Sequence, residues 1–357
     1  MNTLHSFLFL IFILLSLTGC TKLLYLSQLG WHQSSITFHS VPVQEVLENE
    51  WTDPEAKEKI HLIQEVKRYG EEKLGLKVTQ SYSKYFEVKG PVLHVLTASE
   101  KDHLRLYHWN FPITGKVTYK SFFTKEGALK EKRFLEGRDY DTFVQQAGAY
   151  STLGWLKDPI FSSMLQYEEA TIANLILHEM THASIYFKGQ TDLNEQIATF
   201  IGNQGAIHFL TEKYGSGSKE VIEAIHAQED DLIFSRWIDQ ACERLSNFYS
   251  KEISKDEKIK GREEIFHSLK EEFKKISFKT ENTTHFERRD LNNAVLLAYR
   301  QYFHRLGDFQ RLYEYFENDL RRVVDFLKEI RTSGEEPKPY LERWMKEKKI
   351  SVPASLQ

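Results

Sequence analysis

Cysteine is almost missing from this chain, with Cys20 and Cys242 the only two in 357 residues. Two cysteines cannot build the disulfide framework of a small secreted domain, so the core must come from apolar burial. Long apolar runs are missing too. The run from Phe7 to Leu17 is shorter than the roughly 20 residues that a spanning helix needs. Positive charge is not in excess: 47 Lys and Arg stand against 51 Asp and Glu, for a net charge of −4. That removes the electrostatic case for a nucleic-acid partner, which requires a concentrated basic surface. Lys and Glu are interspersed rather than blocked, the pattern of solvated helix faces. There is no internal repeat and no low-complexity linker.

What the chain does contain is a generous apolar and aromatic share, 41% and 13%. Its length suits one large domain or two ordinary ones. The stretch that organises it is His178-Glu179-Met180-Thr181-His182, followed by Asn194-Glu195. On a helix, residues four apart lie on one face, so His178 and His182 can present two imidazoles to one ion. Glu179 stands about 100° round the helix from His178, a place for a base beside a metal rather than for a ligand. Glu195 opens a second apolar stretch. Two His and one Glu, with a fourth position left to water, make a catalytic zinc site holding one ion. The flanks Ile172, Ala173, Leu175, Ile176 and Leu177 predict a buried helix, and two buried histidines beside a glutamate need a partner. The alternative is a core helix whose histidines bond their neighbours.

The segments Leu177 to His182 and Gly189 to Ala198 resemble the zinc aminopeptidase family of bacterial lipoproteins, a gluzincin-type group with two His and a downstream Glu as ligands. Gly148-Ala149-Tyr150-Ser151-Thr152-Leu153-Gly154-Trp155 upstream, and Leu291 to Ala294 followed by Tyr302 downstream, agree with it. Gln190 departs from the acidic residue expected there. The resemblance implies a peptidase that acts on peptide substrates, with Tyr302 as oxyanion donor and His304 as a weaker substitute; a packed core tyrosine is the alternative for Tyr302. It also implies an edge strand above the metal helix that pairs with the substrate backbone. Thr142 to Ala147 is the candidate strand, with Gly148, Ala149 and Tyr150 as substrate-binding residues; an ordinary turn with core aromatics is the alternative.

At the amino terminus, the short apolar run ends in Leu17-Thr18-Gly19-Cys20, which suits the core of a secretory signal. This ending resembles the bacterial lipobox, in which the cysteine becomes the acylated first residue. Residues 1–19 are then a signal peptide, and the chain is anchored to the membrane through lipidated Cys20. An uncleaved membrane anchor is the alternative. The expected location is the bacterial cell envelope. Thr21, by resemblance to lipoprotein sorting rules, favours the outer membrane. Cys242 is then left alone, as a small core residue.

Along the chain, Thr52-Asp53-Pro54-Glu55 predicts a capping box and a helix stopped at Gly75. Val92 to Leu96 and Val117 to Phe123 predict strands, and residues 125–136 a polar helix stopped by Gly137. The metal helix should start near Glu168 or Glu169. Gly202, Gly205 and Ala206 suggest that the following helix packs closely on it. Charged helices should run from about 219 to 276 with a break at Gly261, then Leu291 to Leu306 capped by Asp290, then 309–331. The expected fold is α+β, predominantly helical, and zincin-like, with a small β-sheet in the amino-terminal half. Residues 20–332 form the zinc metallopeptidase domain and 333–357 a charged tail.

The expected chemistry is peptide-bond hydrolysis. Water on the ion attacks the carbonyl, with Glu179 as general base. Asn194, Asn292 and Asn293 either orient the ligands or cap helices. An aminopeptidase also needs a carboxylate for the substrate ammonium, for which Glu168 and Glu169 are the candidates. An envelope endopeptidase with the same zinc chemistry, and a lipoprotein that binds zinc without turnover, are the rival functions.

Overall fold

Asp53 and Pro54 show how local chemistry starts the first long helix. The Asp53 side chain accepts the Glu55 N–H, and Pro54 occupies the first helical position, where no N–H is missed. Asp53 is thus the cap, one residue later than a Thr52 capping box would place it. The computed structural model describes residues 25, 27–111, 115–148, 152, 157–280 and 284–350. Before Asp53 come a helix α1 (27–39), a two-residue strand β1 (Val41–Pro42) and a short helix α2 (Val43–Glu48). The capped helix, α3 (Pro54–Glu72), buries Ile60, Ile63 and Val66 at helical spacing. Gly75 then turns the chain with φ +66°.

The β-containing part follows. Its strands are β2 (Lys84–Phe86), β3 (Leu93–Glu100), β4 (Trp109–Phe111), β5 (Gly115–Val117), β6 (Tyr119–Phe122) and β7 (Tyr140–Ala147), with β8 (Ile160–Phe161) later. The helix α4 (Lys125–Glu136) stands between β6 and β7, stopped at Gly137 as its sequence predicts, and Thr124 caps its start. One antiparallel sheet has the order β6-β3-β7, with Leu96 opposite Lys120 on one side and Val144 on the other. A second joins β1, β2 and β8, with β2 and β8 parallel, and β4 pairs with β5. Leu96 and Ala98 pack with Phe122, Ala128 and Leu135, which seats α4 on one face of the main sheet.

After a 3-10 turn (Ser162–Gln166), the rest is helical: α5 (Glu169–Ser184), α6 (Thr191–Tyr214), α7 (Lys219–Tyr249), α8 (Lys255–Phe273), α9 (Thr284–Glu287) and α10 (Asn293–Phe303). Three more follow, α11 (Leu306–Tyr315), α12 (Leu320–Ser333) and α13 (Pro337–Glu347). The fold is α+β and mainly helical, as expected. The expected break at Gly261 is not there. The chain breaks before Ser254, which forms a capping box with Glu257. Gly261 lies inside α8, where a Cβ would meet the Phe248 ring at 2.5 Å. The cap of α10 is Asn292, which accepts the Val295 N–H, rather than Asp290. The helix expected over 309–331 is two, because Glu317 and Asn318 take left-handed backbone angles and Asp319 caps anew. The charged tail is partly helical: α13 buries Leu341 and Met345 in the main core.

The largest apolar cluster gathers α3, α5, α6 and α12. A second, aromatic cluster built on Phe234, Trp237, Phe273, Phe286 and Tyr299 holds α7, α8 and α10 together, with Cys242 buried in it. The sheet is tied to these helices by a buried bidentate pair. Arg262 of α8 donates to Asp141 of β7 at 2.7 and 3.0 Å, and the Asn293 N–H reaches the same carboxylate at 3.1 Å. Among the described residues, no helix is long and apolar enough to cross a membrane.

Candidate metal site

The site begins with a close approach between α5 and α6. A Cβ on Gly205 would lie 2.7 Å from Leu177, and one on Gly202 would meet the Asn174 carbonyl at 3.0 Å. The small residues bring the two helices together, as their clustering suggests. The turn between them is braced by Asn194: its side chain accepts the Phe187 N–H and donates to the Phe187 carbonyl, each at 2.8 Å. Gly189 takes φ +76° there. Behind α5, Arg331 donates to the Ser184 carbonyl at 2.6 Å, a cation placed at the helix carboxyl end.

This hairpin brings together the three residues that sequence spacing singles out. His178 and His182 approach at 3.1 Å between their Nε2 atoms, and each Nε2 lies 3.5 Å from Glu195 Oε2. A tetrahedral ion with bonds of 2.0–2.1 Å needs its donors about 3.3 Å apart. The three atoms form a triangle of that size, so the residues present fit a metal. His182 and Glu195 are buried. A second group, Glu100, Asp102 and His103, also clusters. It lies in one surface turn, with Glu100 paired to Arg105 and Asp102 to His103, both at 3.2 Å.

The charges of the cluster are coupled. Burial alone would raise the Glu195 carboxyl, but the His182 and His178 imidazoles outweigh it and hold the group at about 2. The same contact raises His182 against the downward pull of its own burial. Glu179, beside the cluster, is raised by burial against the pull of both histidines. Tyr302 comes from α10. Its ring stacks on His178 at a centroid distance of 6.4 Å. The Glu195 charge and burial raise its phenol well above the ordinary value.

Three tyrosines that sequence reasoning misses complete the surroundings. Tyr119 of β6 is raised by burial and by the Glu195, Tyr186 and Glu179 groups. Tyr82 is raised by burial and by Glu179, and holds a left-handed φ of +63°. Tyr186, four residues past His182, is raised by burial and Glu195. That spacing is the only signal the sequence offers; Tyr82 and Tyr119 arrive through long-range packing.

Other candidates stand elsewhere. Gly148 follows the edge strand β7, and the Tyr167 hydroxyl occupies the place that a Cβ there would take. Ala149, Tyr150 and Cys20 fall outside the described residues. Asn292 donates to the Thr142 carbonyl, and Asn293 to that of Glu100 at 2.9 Å while accepting the Tyr249 hydroxyl. Both hold the sheet against α10 rather than orienting a ligand. His304 pairs with Asp239 at 2.5 Å. Glu168 and Glu169 open α5, about 14–15 Å along the helix from His178 at 1.5 Å per residue.

No curated protein and no solved structure matches the chain. A family model described as "Putative aminopeptidase" matches residues 24–341, and the chain belongs to that family.

Proposed function

We propose that the chain is a zinc-dependent peptidase of gluzincin type with a zincin-like fold, and that it trims peptides from their amino end. The observation that carries this is the convergence of His178, His182 and Glu195 at 3.1, 3.5 and 3.5 Å. Two imidazoles and one carboxylate at tetrahedral spacing suit zinc above the hard oxygen-seeking ions. Bound there, zinc would lower the pKa of a water from 15.7 to about 7 and polarise a carbonyl.

The protein's own groups then have distinct tasks. Glu179, next along the helix from His178, takes the proton from the attacking water and returns it to the leaving amine. Burial raises its carboxyl above the ordinary value, the direction in which a general base becomes a better proton acceptor. Tyr302 keeps its proton and donates a hydrogen bond to the developing oxyanion. Gly148, Ala149 and Tyr150 remain the proposed substrate-backbone contacts. The chain is held at the bacterial cell envelope, on the outer membrane, by acylated Cys20.

An endopeptidase is the second reading. It is favoured by the position of Glu168 and Glu169, which stand too far along α5 to hold an ammonium beside His178. The deciding experiment measures zinc content and hydrolysis for the wild type and Glu179→Gln, on free-amine peptides and their amino-blocked analogues. One zinc per chain in both proteins, with cleavage of free-amine peptides by the wild type alone, is the expected result. Equal cleavage of both peptide sets makes it an endopeptidase. Bound zinc with no hydrolysis by either protein makes it a metal-binding lipoprotein.

A further inference from the structure

We propose that α1 is a membrane-docking helix whose face carrying Trp31 and Phe38 lies in the boundary between headgroups and acyl chains of a lipid bilayer. Trp31 is 76% exposed and Phe38 84%. Seven residues apart on a helix, they share a face. The helix is held firmly from its other side. Ile36 is buried in the main core, the His32 ring stacks on Phe123 at 5.0 Å, and the Tyr25 hydroxyl donates to the Ser121 carbonyl at 2.8 Å. Two large aromatics are therefore presented to the outside by a seated element.

Charge patterning says what covers them. From Lys22 to Glu45 there is no Asp, Glu, Lys or Arg between the two, in a chain that is 27% charged. A surface built for water or for a charged protein partner would not be cleared in this way, whereas Trp is favoured at membrane interfaces. The bilayer is also within reach. The apolar run Phe7 to Leu17 and Cys20 come just before α1, and five residues from Cys20 to Tyr25 span at most about 17 Å. Whether acyl groups on Cys20 or residues 7–17 enter the lipid, α1 is kept beside it. Tyr25 bonds to β6, the strand carrying Tyr119. A docked α1 thus fixes the height and facing of the candidate metal site over the membrane, where a loose tether would leave it free to tumble.

The inference rests on membrane attachment of the amino-terminal segment. It is tested with the full chain purified from membranes and reconstituted into phosphatidylethanolamine–phosphatidylglycerol vesicles with brominated acyl chains. Flotation of the vesicles reports attachment, and bromine quenching of tryptophan fluorescence reports the face. The expected result is that wild type, Trp31→Phe and Phe38→Ser all float. Trp31→Phe should lose at least half of the quenched signal, and Phe38→Ser should quench at least twofold less than wild type. Quenching that is the same in Trp31→Phe as in wild type overturns the docking face and leaves attachment standing. So does a crosslink from position 31 to a second copy or to another protein in the vesicles, because a protein surface then covers the face. Failure to float overturns the docking and the anchor together.

Discussion

Gly202 and His178 lie so close that a Cβ on the glycine would stand 3.3 Å from the histidine Cβ. Glu195, seven residues earlier on the same helix, reaches the His178 ring only because α6 comes this near to α5. The ligand triangle is therefore set by backbone approach, with side-chain reach secondary.

Gly202→Val should widen that approach. The added branches meet a backbone carbonyl, Asn174 O, at a point where even one Cβ stands 3.0 Å away, so relief requires the helices to part. Overpacking of this kind costs about 1–3 kcal/mol. We expect a lower denaturation midpoint and at least tenfold weaker zinc binding by competitive titration. Gly202→Ala should be milder, since alanine regains about 1 kcal/mol of helix propensity.

Removing the ion should lower stability without unfolding the chain, because the two helices are already packed by Leu177, Ile201 and their neighbours. At zinc 100-fold above its Kd, linkage gives about 2.7 kcal/mol, or about 4 °C in Tm. Calorimetry with and without a chelator measures this. His182→Ala should show no chelator-dependent shift.

Tyr302→Phe should lower kcat by about 10²–10³-fold with little change in KM, the pattern of a lost oxyanion donor. Zinc content should stay at one per chain. If Tyr119→Phe shows the kcat loss and Tyr302→Phe does not, the donor is on β6.

Asp231 gives a pH test away from the ligands. Burial pushes its carboxyl up to about 7, while its one short bond comes from Asn203 Nδ2 at 2.7 Å. With the folded value above the ordinary 3.8, the folded state holds the proton more tightly. Stability from this group is full below pH 4 and is lost as pH rises through 7. Asp231→Asn should therefore be near neutral at pH 4 and stabilising by about 1–3 kcal/mol at pH 8. Urea unfolding at the two pH values checks it.

The parts of this architecture written in short-range chemistry are legible from residues alone. The four-residue spacing of the histidines, the stop at Gly137, the start of α5 at Glu169 and the small residues of α6 all read correctly. What fails is whatever depends on contacts far along the chain. Gly261 looks like a helix breaker until Phe248 is seen to fill its space. Residues 316–319 carry no glycine or proline, yet Glu317 and Asn318 turn left-handed there. Tyr82 and Tyr119 reach the site through a strained turn and an edge strand, and no periodicity in either segment marks them.

All three proposed ligands lie within the single hairpin of α5 and α6, whereas Tyr302 arrives on α10, after two more long helices. During synthesis, then, the three proposed metal ligands all leave the ribosome before the Tyr302 phenol does. If a chain arrested between α6 and α10 folds this hairpin, it would hold the three proposed ligands without the proposed Tyr302 donor, which would separate metal loading from chemical competence in time.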